Sequence, residues 1–100
     1  MDRQRKTDGE VLQLLKEAEA CGEQGSRLLA CEKIPQAEQQ YRRALGLRQQ
    51  LFEKTQNPEH RAAGKELSMV LADLCMQQGN MHGADYYYVM ALHWGQSEEK

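Results

Sequence analysis

The chain has 100 residues with a net charge of −2, and 40% of them are hydrophobic against 28% charged. That length holds a single domain with one core, no apolar stretch approaches the roughly 20 residues of a membrane-spanning helix, and the slightly acidic balance removes nucleic acid as the leading partner. The opening Met1-Asp2-Arg3-Gln4-Arg5-Lys6 runs into Thr7-Asp8-Gly9-Glu10 rather than an apolar segment, so no secretory signal is expected and the expected location is cytoplasmic.

Twelve Leu and ten Ala stand against six β-branched residues. Leu and Ala lose little rotamer freedom in a helix, so the fold class is all-α. Thr7 and Glu10 have the spacing of a capping box and predict the start of the first helix, after an arm over residues 1–6 that is expected to be flexible. Its apolar positions, Val11, Leu14, Leu15, Ala18, Cys21, Gly25, Leu28 and Leu29, recur at steps of three and four and define one stripe. A break falls at Cys31-Glu32-Lys33. Pro35 suits the first turn of a second helix, whose stripe is Ile34, Ala37, Tyr41, Ala44, Leu45, Leu47, Leu51 and Phe52.

Asn57-Pro58 predicts the next boundary, with Asn57 as cap and Pro58 at the first helical position. The third helix is apolar at Ala62, Ala63, Leu67, Val70, Leu71, Leu74 and Cys75 and closes at Gly79, a residue free to turn left-handed. Asn80 caps a fourth, with Met81, Ala84, Tyr87, Tyr88, Ala91, Leu92 and Trp94 before a polar tail at 97–100. Four helices on short connections are antiparallel neighbours, either a small bundle or two stacked hairpins. The three consecutive rings Tyr86-Tyr87-Tyr88 point about 100° apart. Tyr88 is expected in the core, Tyr87 against its hairpin partner, and Tyr86 either outside as a contact residue or partly buried against the third helix. Trp94 either closes the core or faces a further element.

Self-comparison favours hairpins. The run Ala37-Glu38-Gln39-Gln40-Tyr41-Arg42-Arg43-Ala44-Leu45 aligns with Ala84-Asp85-Tyr86-Tyr87-Tyr88-Val89-Met90-Ala91-Leu92, 47 positions later. In each, a ring sits between two small residues on one face, which lets a neighbouring helix approach closely. Gly25 and Ala72 each stand twelve residues before these runs. The pattern resembles the tetratricopeptide repeat, whose helix-turn-helix unit carries a Gly or Ala in its first helix and an Ala-x-x-x-aromatic-x-x-Ala run in its second. The match spans about Glu17 to Trp94, with repeats over about 7–54 and 58–96 inside a domain at 7–96. It departs from the common pattern at Cys21, Gln24 and Ser68 and in its long period, and the residues added between Leu45 and Leu67 continue the apolar stripe as extra helical turns. Arg43-Ala44-Leu45-Gly46-Leu47-Arg48 followed by Asn57-Pro58-Glu59-His60 is similar to the long-period repeats of the kinesin light chain.

Chemistry finds little support in the residues. Cys21, Cys31, Cys75, His82 and His93 have no metal-clip spacing and no disulfide framework, so neither a metal nor a cofactor is expected. No phosphate loop or nucleophile-base pair occurs, with Ser26, Ser68 and Ser97 in ordinary contexts, and no enzyme is expected. The resemblance implies instead a concave groove that binds a peptide or helix of a protein partner. It would be lined by Glu19, Gly22, Ser26 and Leu29 in the first repeat and by Glu66, Met69, Asp73, Met76 and Gln77 in the second. An apolar segment flanked by Lys or Arg would suit that lining, the alternative being that these side chains are simply the solvated side of a helix. The members of the family that clamp a C-terminal carboxylate use Lys, Asn and Arg where this chain has Ser26, Met69, Val70 and Asp73, which disfavours such a ligand. The expected function is a non-catalytic interaction module, an adaptor or assembly subunit. The alternatives are a structural homo-oligomer whose repeats bury one another, or a fragment of a longer repeat protein.

Overall fold

The computed structural model describes the backbone of residues 2–96 and the side chains of residues 8–95. It consists of four helices, α1 (Asp2–Ala30), α2 (Ile34–Thr55), α3 (Pro58–Gln77) and α4 (Met81–Gln96), with no strand among the described residues. Each helix packs chiefly on its chain neighbours, α1 on α2, α2 on α3 and α3 on α4. The body measures 50 × 32 × 16 Å. Two antiparallel hairpins stacked in tandem account for that order, whereas a closed bundle would set α1 against α4.

The boundaries follow local chemistry. Asn57 Oδ1 accepts from the Glu59 amide at 3.0 Å and Pro58 occupies the first turn of α3, which disposes of amides that have no helical partner. Asn80 does the same for α4 through the Gly83 amide at 3.0 Å. Both hairpin turns close in one way. After α1, the Glu32 amide donates to the Leu29 carbonyl and the Lys33 amide to the Leu28 carbonyl, each at 2.9 Å; after α3, Gly79 donates to Met76 at 3.0 Å and Asn80 to Cys75 at 2.8 Å. The left-handed residues of the two turns, Glu32 (φ 60°) and Gly79 (φ 76°), are themselves 47 positions apart, so the duplication extends through the turns.

One boundary differs from the sequence expectation. α1 begins at Asp2 instead of Thr7, so residues 2–6 continue the helix rather than forming a separate arm. Arg, Gln and Lys are strong helix formers and Asp favours the positive end of the helix dipole, so the Thr-x-x-Glu spacing falls inside a run with nothing to stop it. The expected tail at 97–100 lies outside the described residues.

The core has two parts. One joins the hairpins: Ala37, Tyr41 and Leu45 of α2 meet Leu71, Ala72, Leu74 and Cys75 of α3 and Ala84 and Tyr87 of α4. The other fills the long arm of the first hairpin, where Ala18 and Cys21 of α1 meet Ala44, Leu47 and Leu51 of α2. α2 is helical through to Thr55, so the added length of the period is helix with a core of its own.

The duplicated face is buried at Gly25, Ala37, Tyr41, Ala44, Ala72, Ala84 and Ala91, but not at Tyr88, which is 39% exposed while Tyr87 is 7% exposed. Tyr87 turns back toward the first hairpin, where Arg42 hydrogen-bonds its hydroxyl, and burial pushes its pKa up. Tyr88 leans along α3, its hydroxyl against Asp73 and Met76, and no described helix covers its outer side. The expected assignment of these two rings is therefore reversed, because among the described residues α2 and α3 lie on one side of α4 and no helix lies on the other. Leu92 and Met81 of the expected stripe are exposed on the same helix. Trp94 closes the core: its ring packs edge-on against Phe52, with centroids 6.2 Å apart, and lies over Gly64, where a Cβ would come within 2.6 Å of ring atoms.

Two stability outcomes follow from these contacts. Glu32→Gly removes a left-handed non-glycine residue and should stabilise by about 1 kcal/mol, with Gly79→Glu costing a similar amount, as read by urea denaturation. Gly64→Ala should cost about 1–3 kcal/mol through the Trp94 ring, whereas Gly46→Ala, which meets nothing within 4 Å, should stabilise by about 0.5–1 kcal/mol from helix propensity.

Candidate functional site

A concavity lies where α1 and α3 flank α2. Its volume is about 560 Å³, and it opens to solvent. Tyr41 and Ala44 of α2 form its floor. Ala18, Glu19, Gly22 and Glu23 of α1 stand on one side and Ala63, Glu66, Leu67 and Val70 of α3 on the other, with Arg48 at one end. The groove exists because small residues let the first hairpin close tightly: the Tyr41 ring lies over Gly25, where a Cβ would sit 3.0 Å from ring carbons. The ring is fixed by that approach and presents an apolar surface between the two flanking helices.

Its charge is mostly negative. Glu19, Glu23 and Glu66 surround the apolar floor, and the one cation among the lining residues, Arg48, is engaged with His60, its guanidinium donating to Nδ1 at 2.9 Å. A guanidinium can only donate, so this bond requires a neutral His60 with Nδ1 as acceptor. His60 is buried, and burial first, then the neighbouring Arg48 charge, lowers its pKa below the ordinary value, with Glu59 opposing.

Of the residues expected to line the groove, the structure brings Glu19, Gly22 and Glu66 together there. Ser26 is exposed outside it. Leu29 is half-buried and packs against the main core, so it is a core residue rather than a lining one; the α1 stripe that closes the hairpin reaches it. Met69, Asp73, Met76 and Gln77 are exposed on α3 and lie beyond the groove. Asp73 and Met76 meet α4, the Tyr88 hydroxyl donating to Asp73 Oδ1 at 3.3 Å and lying 3.3 Å from Met76 Sδ. Sequence reasoning missed the floor residues Tyr41 and Ala44 as lining, since it assigned them wholly to packing. It also missed Arg48 and His60, which lie twelve residues apart on different helices and have no pattern in common.

Among the described residues, no group of three or more His, Cys, Asp and Glu side chains is placed to hold a metal ion. Cys21 and Cys75 are buried and Cys31 is exposed, all three as free thiols, and burial raises the Cys75 pKa. No described helix is long and apolar enough to cross a membrane. Comparison of the chain with family models, with curated proteins and with solved structures finds no match.

The His60 environment has a pH signature. A base whose folded pKa is lowered binds its proton more readily when unfolded, so stability is complete above the unfolded value of about 6.5 and falls as the pH drops below it. The midpoint of thermal unfolding should decline between pH 7 and pH 5. The decline should be shallower in His60→Asn, whose amide oxygen can still accept from Arg48.

Proposed function

We propose that the chain is a non-catalytic protein-protein interaction module of the tetratricopeptide class, an adaptor or assembly subunit that works in the cytoplasm and holds a peptide or helical segment in the groove between α1 and α3. The observation that carries this reading is the groove itself, with an apolar floor of Tyr41 and Ala44 and the carboxylates of Glu19, Glu23 and Glu66 around it. A preformed open channel of this width and polarity suits an extended or helical segment that places a Leu or aromatic side chain on the floor and Lys or Arg beside the acids. The tandem hairpins, the buried small-ring-small face of α2 and the identical closing turns give the repeat resemblance its support.

A catalytic reading has less to draw on. Arg48 and His60 are the two polar groups held in fixed geometry beside the groove, and each is taken up by the other. A structural homo-oligomer is the competing reading, favoured by the apolar side chains that α4 exposes. It requires a second copy to cover them, and sedimentation of the chain distinguishes the two.

A displayed peptide library tests the module directly. Selected peptides should carry an apolar anchor with adjacent Lys or Arg, and the double variant Glu19→Lys/Glu66→Lys should lose them, with the loss shrinking as salt screens the charges. Selected peptides that bind the double variant equally well at low salt would show that the groove is not the binding surface.

A further inference from the structure

The internal repeat shows what belongs on the outer face of α4. In the first hairpin, Tyr41 and Leu45 of α2 are buried in the cluster they share with Leu71 and Leu74 of α3, with Leu67 packed against it, while Ala44 between them is buried with Ala18 and Cys21 of α1. The residues 47 positions on are Tyr88, Ala91 and Leu92, the same three types in the same order. Among the described residues no helix plays the part of α3 here, and Tyr88 is left 39% and Leu92 65% exposed. The polar edge is repeated too. Glu38 of α2 accepts from Gln78 Nε2, at the end of α3, at 2.6 Å, and its counterpart on α4 is Asp85, which is exposed.

We propose that the outer face of α4, centred on Tyr88 and Leu92, is a second docking surface, separate from the α1/α3 groove, and that its occupant is an amphipathic helix of a partner protein with the contact stripe of α3. That stripe is a small residue, then Leu at the fourth, eighth and eleventh positions after it, as in Ala63, Leu67, Leu71 and Leu74, with a hydrogen-bond donor four residues further on, as Gln78, to meet Asp85.

Neither α3 nor α1 of a second copy of the chain supplies that stripe. Its own α3 stripe is already buried, with Leu71 and Leu74 at 0% and 1% exposure. The equivalent positions on its α1, 47 residues earlier, are Lys16, Ala20, Gln24 and Arg27, all exposed, and two of them charged. Setting that surface on Tyr88 and Leu92 would bury charges against an apolar face with no partners for them. The stack therefore has a polar face at its α1 side and an apolar one at its α4 side. A partner helix with the α3 stripe satisfies the second without disturbing the first.

The probe is a peptide with the sequence of residues 58–78, held helical by a hydrocarbon staple across positions 62 and 66, which are exposed on α3 and take no part in the stripe. Titrated against the full-length chain by fluorescence anisotropy, it should bind. Leu92→Glu should weaken binding about tenfold or more, Asp85→Ala should weaken it less, and the exposed α2 substitution Gln50→Glu should change nothing. Replacing the three stripe leucines of the peptide with Ser should abolish binding. No binding by the stapled helix, or binding that Leu92→Glu leaves intact, would overturn the proposal, and loss in Glu19→Lys/Glu66→Lys but not in Leu92→Glu would place the peptide in the groove instead. Sedimentation of the chain alone should show a monomer; a dimer that Leu92→Glu dissociates would make a second copy the occupant and overturn the assignment to a partner helix.

Discussion

The approach of the Tyr41 ring to Gly25 is the contact on which the rest of the molecule depends. Absence of a side chain on α1 lets the ring lie flat in the hairpin, with ring carbons 3.0 Å from where a Cβ would be. A larger residue at Gly25 would push α1 and α2 apart, and the floor of the groove would move with them. The other side of the same ring joins Leu71 and Leu74 in the cluster that links the two hairpins. One aromatic side chain thus fixes the first hairpin, orients the second against it and forms the surface on which a ligand would rest. Close-packed interiors do not deform continuously, so a change at this contact is transmitted to all three.

The long period has a physical consequence of its own. Extension of α2 beyond the duplicated face adds Leu47 and Leu51 to Ala44, and with Ala18 and Cys21 of α1 they form a cluster that belongs mainly to the first hairpin. The extension adds buried apolar area to the first hairpin, independent of its neighbours in the stack. Leu67 of α3 packs against this cluster as well as the main one, so the second hairpin is held along the length of α2. Arg48 and His60 join the two helices further along, and Phe52, Trp94 and Gly64 close the far end.

Much of this was legible in the sequence, for reasons that are local. Asn57-Pro58, Gly79 and Asn80 act on backbone groups within a few residues of themselves, and the duplicated run from Ala37 to Leu45 states its own packing. What was not legible depends on which flank of a helix has a neighbour. Tyr87 and Tyr88 are adjacent in sequence and alike in chemistry, and only the position of α2 decides that the first is buried. Gly64 has no special backbone angle to mark it; its role comes from Trp94, thirty residues away. Leu29 belonged to the apolar stripe and also to the expected groove, and it could not serve both. Glu19, Gly22 and Glu66, which sit nearest the long arm, line the concavity. Met69, Asp73, Met76 and Gln77 lie on turns of α3 beyond it, where the sequence pattern alone does not say that the concavity ends.

Those same turns matter for a different reason. Asp73 and Met76 stand against the Tyr88 hydroxyl, which steadies a ring that has packing on one side only. A side chain held in place before a partner arrives loses less freedom on binding than one that must be ordered by it. Burial at the edge of α3, together with the Asp73 carboxylate, raises the Tyr88 pKa, so the hydroxyl keeps the proton with which it donates. The two hairpins differ mainly in what lies beyond them: α3 beyond the first, and beyond the second a surface with the same ring, the same small residue and the same leucine.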